Sequence, residues 1–96
     1  MARFDFHAPR LGLGYLLDCQ ADSFTHRLAV PLIPVEQAPL PIARLDPIFG
    51  IEDGRSVMMT QFASATPLRE MGPRAGSLVR EHDRIMAALD ALIIGY

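Results

Sequence analysis

Hydrophobic and polar positions change their period along the chain: every second residue near the start, a proline-punctuated apolar stretch in the middle, and every third or fourth residue at the end. Phe4 and Phe6 alternate with Arg3, Asp5 and His7, the pattern of a half-buried strand, which Pro9 stops. Gly12 and Gly14 permit a turn into a second strand over 15–22, where Tyr15, Leu17 and Cys19 share one face and Leu16, Asp18 and Gln20 the other. The segment 28–33 is β-prone, but Pro31 lacks a ladder donor, so this third strand is expected at a sheet edge or bulge.

Pro34, Pro39, Pro41 and Pro47 make 34–47 too proline-rich for a helix, and its few polar residues do not suit a free linker. An ordered loop with one short strand is expected, serving as a lid or docking element. Phe49 and Ile51 lead into Glu52-Asp53-Gly54, where Asp-Gly supplies positive φ for a tight turn, and 55–62 returns as a strand. Beyond it, 63–72 holds a short extended piece around Pro67, and Pro73 with Gly76 breaks the chain before Ser77, a suitable N-cap.

Leu78, His82, Ile85, Leu89, Leu92, Ile93 and Tyr96 recur at spacings of three or four, predicting a helix from about 78 to 94 with these residues on one stripe. Arg80, Glu81, Asp83, Arg84 and Asp90 occupy its wetter sides. The order of several strands, long loop, hairpin and terminal helix predicts a mainly β fold with one C-terminal α-helix, a small antiparallel barrel or sheet with the helix packed against it. No internal repeat is present. The last residues, Ile93, Ile94, Gly95 and Tyr96, carry no closing charge, although chain ends are normally polar. This tail is the leading candidate for a working surface.

Ninety-six residues, 50% hydrophobic and 21% charged, fit one globular domain spanning 1–96. Its small core favours a homodimer that covers a second face. A net charge of −2 with the nine basic residues scattered offers no stripe for a phosphate backbone, so direct nucleic-acid binding is not expected. All nine are arginine, which is assigned to codon usage. The single Cys19 excludes an intrachain disulfide and suits a reducing compartment. No signal peptide and no stretch of ~20 apolar residues is visible, which predicts a cytoplasmic protein without membrane association.

The search for chemistry returns no catalytic residue. A phosphate loop and paired metal-ligand spacings are missing, His7, His26 and His82 are isolated from one another, and no cofactor or metal is called for. His82 lies near the apolar stripe and reads as structural. Cys19 faces inward beside Tyr15 and Leu17 as an inert buried thiol. Met58 and Met59, one on each face of a strand, read as core on one side and a second core or dimer interface on the other.

The arrangement resembles the CcdB family of toxin–antitoxin toxins over nearly the whole chain. The resemblance rests on the opening Arg3-Phe4 strand, on 15–22, on Arg27-Leu28-Ala29-Val30-Pro31-Leu32, Leu45-Asp46-Pro47-Ile48, Met58-Met59-Thr60, and Ala63-Ser64 with Pro67, and on a final helix ending in Gly95. It implies an SH3-like barrel of the kind shared with MazF and Kid toxins, a homodimer, and a non-enzymatic protein that binds the A subunit of DNA gyrase with its C-terminal helix end and traps the cleaved-DNA complex. A cognate CcdA-like antitoxin, whose disordered segment folds onto the toxin, is the second implied partner.

Residue by residue, Gly95 matches the penultimate glycine of the family's Trp-Gly-Ile ending, Tyr96 stands for the isoleucine and Ile94 for the tryptophan. The resemblance thus implies a gyrase-binding set of Ile94, Gly95 and Tyr96, and an antitoxin-binding set of Asp90, Ile93 and Ile94, with loop 34–47 as part of that footprint. Tryptophan at an interface centre commonly contributes ~2–4 kcal/mol, and isoleucine lacks its area and indole N–H. Two alternatives follow: a CcdB-like protein that binds antitoxin but poisons gyrase weakly or not at all, and a MazF/Kid-like ribonuclease, which requires Arg27, Arg55 and His26 to converge.

Overall fold

The computed structural model describes residues 2–9, 12, 14–20, 26–52 and 54–95. Among these residues seven strands, β1 (Asp5–Pro9), β2 (Tyr15–Asp18), β3 (His26–Pro34), β4 (Ile48–Ile51), β5 (Gly54–Met58), β6 (Ser64–Pro67) and β7 (Met71–Ser77), precede one α-helix, α1 (His82–Ile94). They form one antiparallel sheet in the order β4-β5-β3-β2-β1-β7, with β6 also paired to β3. The sheet curls into a half-barrel, consistent with a small SH3-like barrel, and the mainly β expectation with a C-terminal helix holds.

Alternation along the strands builds the core. Phe4, Phe6, Leu17, Val30 and Leu32 are buried from the sheet side, and Ile85, Ala88 and Leu89 close over them from α1. Phe4 adopts φ 68° and ties three elements together, its N–H donating to the Asp18 carbonyl (2.6 Å) and its own carbonyl accepting the Leu78 N–H (2.7 Å).

β3 is not an edge strand. It pairs with β2 along one side, and with β6 and then β5 along the other. The Pro31 carbonyl accepts the Met59 N–H (2.9 Å), and since N and C=O of one strand residue face the same way, the missing donor lies on that side too. It falls between the pairing of 26–29 with β6 and of 32–34 with β5, where no ladder donor is needed.

The segment read as broken by Pro73 and Gly76 is instead β7, an edge strand on β1 whose register slips at two places. Pro73 is tolerated at such an edge. Gly76 is required there, because a Cβ would run into the Phe6 ring. Here a glycine that reads as a breaker serves close packing between strands.

Smaller differences have local causes. β2 stops at Asp18, whose carboxylate accepts the Gln20 N–H (3.0 Å) and turns the chain; Ala21 and Asp22, also assigned to this strand, lie outside the described residues. The hairpin between β4 and β5 is present with Ile51 opposite Gly54, but the positive φ belongs to Glu52 (54°) rather than Gly54, and Asp53 lies outside the described residues. The return strand ends at Met58 and continues as a 3₁₀ turn, Thr60–Phe62. Met58 and Met59 are both buried, and no strand interrupts loop 35–47.

At the helix start, Ser77 Oγ accepts the Val79 N–H (3.2 Å), but Ser77 is not the N-cap: Leu78 takes that position for a 3₁₀ turn, Val79–Glu81, and Glu81 for the α-helix proper, which begins only at His82.

Candidate functional site

The helix buries Ile85, Ala88, Leu89 and Ala91, a spacing of three and four that covers just under two turns. The stripe expected to continue through Leu92 and Ile93 stops there. Leu92 is 42%, Ile93 80% and Ile94 61% exposed. Asp90 and Gly95 are exposed beside them, which brings four of the sequence-predicted site residues, Asp90, Ile93, Ile94 and Gly95, onto one short end. Tyr96 lies outside the described residues.

Gly95 ends the helix in the left-handed region (φ 90°, ψ 22°) and donates its N–H to the Ala91 carbonyl (2.8 Å). That conformation suits glycine, and it fixes the direction in which the chain leaves the helix. No basic residue occupies the last turn, so the negative end of the helix dipole is uncompensated by its own sequence.

Loop 35–47 reaches the same end of the molecule. An open cleft of about 240 Å³ is lined by Ile42, Ala43, Arg44 and Leu45 from the loop and by Ala91 and Gly95 from the helix. Leu40 (91% exposed) and Ile42 (51%) extend the apolar surface outward. Sequence reasoning singled out the loop but missed the residue that shapes it. Asp46 is buried, and its Oδ2 accepts the Ile42 N–H (2.8 Å) and the Gln61 side-chain N–H (3.2 Å), folding 42–46 back on itself and pinning it to the Thr60–Phe62 turn. The Asp-Pro pair at 46–47, a turn-starting dipeptide, was the available signal.

Elsewhere the buried titratable groups are committed to structure. Arg27, 1% exposed, forms an ion pair with Asp18 through both its Nε (3.0 Å) and an Nη, and it also bonds the Gln20 carbonyl. Arg55 stands at the opposite end of β3 from His26, its carbonyl accepting the Val35 N–H (3.0 Å), so the three side chains of the ribonuclease reading do not converge. Burial first, and then the Asp18 charge, push the Cys19 thiol up to about 12, against a smaller opposing effect of Arg3. Such a thiol is no nucleophile at neutral pH. The imidazole of His7 is buried with Nδ1 against the Gly72 carbonyl (3.0 Å), and His82 packs edge-on to Phe4 (5.6 Å between centroids). Among the described residues no three His, Cys, Asp or Glu side chains are grouped to hold a metal, and no helix is long and apolar enough to cross a membrane.

The described residues thus bring an apolar helix end and an apolar loop together around one cleft. The sequence profile described as CcdB protein matches residues 3–95, and the chain belongs to the CcdB family, within the toxin class of toxin–antitoxin systems. Comparison with curated proteins returned no match.

Proposed function

We propose that the protein is a type II toxin that, as a homodimer in the cytoplasm, binds the A subunit of DNA gyrase through Ile94, Gly95 and Tyr96 and traps the enzyme on cleaved DNA. A cognate antitoxin neutralises it by covering Asp90, Ile93, Ile94 and loop 34–47. The observation that carries this reading is the pair Ile93 and Ile94, 80% and 61% exposed at a helix end whose exit is set by Gly95. Exposed apolar patches on a small protein mark interaction sites. Membership of the CcdB family supplies the class of partner.

Poisoning by this route involves no bond-making by the toxin: it binds one state of gyrase better than the others and shifts the population toward it. Ile94 provides less contact area than an indole, and Tyr96 supplies the stacking surface in its place. Purified protein mixed with supercoiled plasmid, ATP and gyrase, followed by detergent denaturation, should accumulate linear DNA. The Tyr96→Ala variant should lose that activity. A folded protein that yields no linear DNA refutes gyrase poisoning and leaves a CcdB-like protein that binds antitoxin alone.

A further inference from the structure

Arg3 and Arg27 use the same edge of the guanidinium, Nε with one Nη, whose N–H bonds run nearly parallel and suit oxygen acceptors. In Arg27 that edge is filled by the Asp18 carboxylate. In Arg3 it meets a sulfur. Nη2 lies 3.3 Å from Met86 Sδ, a weak acceptor, and Nε is buried with no hydrogen-bond partner among the described residues. The guanidinium stands over the Phe4 ring, 4.8 Å from its carbon to the centroid, and pairs with no carboxylate among the described residues. An unmet donor on a charged group is costly in a protein interior, so this edge gains from any oxygen brought to it. Met86, on α1, is half-buried, whereas Met58, Met59 and Met71 are almost fully buried, so among the described methionines its thioether is the one a small oxidant reaches. Cys19 is protected differently: its buried thiol, pushed up to about 12, keeps its proton at neutral pH, and peroxides attack thiolates.

We infer that Met86 is a reversible oxidation site whose sulfoxide oxygen is received by Nη2 and Nε of Arg3. With hydrogen peroxide as the oxidant, a sulfur lone pair attacks one peroxide oxygen, and the S–O bond forms as the O–O bond breaks. The departing hydroxide takes the proton left on the transferred oxygen and leaves as water, so sulfur gives up two electrons and the peroxide is reduced. The sulfur already touches Nη2, so the added oxygen lies beside the S···N line, and on the Nε side it meets the second donor. A weak sulfur contact between the segment before β1 and α1 thereby becomes a two-point, charge-assisted hydrogen bond. Oxidation of a packed methionine ordinarily disrupts its surroundings. Here it fastens α1 more firmly, whatever partner the exposed end of that helix binds, and a methionine sulfoxide reductase returns the thioether.

The full chain is treated with hydrogen peroxide at neutral pH until its intact mass shows one added oxygen, and peptide mapping locates that oxygen. Met86 should take it before Met58, Met59 and Met71, with Cys19 unchanged; Met1, outside the described residues, is resolved in its own peptide. The Arg3 Nε–H resonance should move downfield as it gains an acceptor. Met86→Gln, which places an amide oxygen near the same donors, should move that resonance without any oxidant. In urea, the unfolding equilibrium constant of the Met86-oxidised chain should stay within about two-fold of the reduced chain or fall below it. In Arg3→Leu the same oxidation should raise that constant about ten-fold, the effect of one lost hydrogen bond to a charged donor.

Oxygen found at Met58, Met59 or Met71 ahead of Met86 overturns the inference. So does an Arg3 Nε–H resonance that stays in place in both the oxidised chain and Met86→Gln. Equal destabilisation of wild type and Arg3→Leu by oxidation overturns it as well, because Arg3 then does not hold the oxygen. Should Arg3→Leu fail to fold, Arg3→Lys replaces it, keeping the charge while removing the two-donor edge, and the same ten-fold rise on oxidation is expected.

Discussion

Two regions of this molecule reverse the usual placement of side chains. At the junction of β2 and β3 an arginine and an aspartate are almost fully buried, while at the end of α1 two isoleucines stand in water. The buried charges are paired and hydrogen-bonded, with Arg27 satisfying Asp18 and the Gln20 carbonyl together. The exposed isoleucines, with Leu92 beside them, are left out of the core. The contrast separates side chains that the fold pairs from side chains that it leaves in water, and stability measurements should tell the two regions apart.

The comparison breaks most visibly at Arg27. Arg27→Met leaves the buried Asp18 carboxylate without its cation, held only by the Gln20 N–H, and should lower the unfolding free energy by about 3–5 kcal/mol in urea titration. A joint Asp18→Leu/Arg27→Met change should recover much of that loss. It should not recover all, since the Gln20 N–H then lacks its acceptor. A mild effect of the single change would mean that the pair is dispensable and the contrast overstated.

Gly76→Ala tests whether tight backbone approach extends to the outer strand. The added methyl meets the Phe6 ring, and about 1–3 kcal/mol should be lost through overpacking. A midpoint equal to wild type would show that β7 moves freely from β1.

Cys19 gives the pH dependence of the buried region. Its folded thiol titrates near 12 against an ordinary 9.0, so the folded chain keeps a proton that the unfolded chain releases. Stability contributed by the neutral thiol is therefore fully present below pH 9 and is lost as pH rises toward 12, at up to about 1.4 kcal/mol per pH unit. Removing the group by Cys19→Ala should flatten that alkaline slope, measured from urea midpoints at several pH values. The Tyr15 hydroxyl, held up by its hydrogen bond to Glu52 (3.0 Å), titrates in the same direction and remains in the variant as a smaller slope.

The smallest effect on stability should be at the helix end. Ile94→Ser should shift the unfolding free energy by no more than about 0.5 kcal/mol, while linear DNA formed with gyrase falls about ten-fold at limiting toxin. If instead Ile94→Ser unfolds the protein, the helix end belongs to the core and the comparison collapses.

Much of this arrangement was legible in the residues. The period-two pattern located β1 and β2, Phe49 and Ile51 located the β4–β5 hairpin, and three-and-four spacing located α1 and its inward residues Ile85 and Leu89. The inward, inert Cys19 also followed from register. Local rules misread two prolines. Pro31 lies in a central strand because its missing donor falls where the partner changes from β6 to β5, and Pro73 lies in β7 because an edge strand leaves an N–H unneeded. Neither fact is visible without knowing which strands are neighbours.

The candidate site divides the same way. The apolar helix end and the proline-rich loop are both visible in the sequence itself, since a helix period that outlasts the available core must project into water. Their meeting was decided by the tertiary structure alone. Asp46 folds the loop through the Ile42 N–H and the distant Gln61, and only then do Ile42, Arg44 and Leu45 stand across a cleft from Ala91 and Gly95. Periodicity records the side a residue faces within its own element, because that follows from backbone geometry over a few neighbours. Which elements face each other depends on hydrogen bonds and packing between positions far apart in the chain. For Arg27 and Arg44, two arginines alike in sequence, that pairing alone made one a buried strut and left the other at the surface beside the cleft.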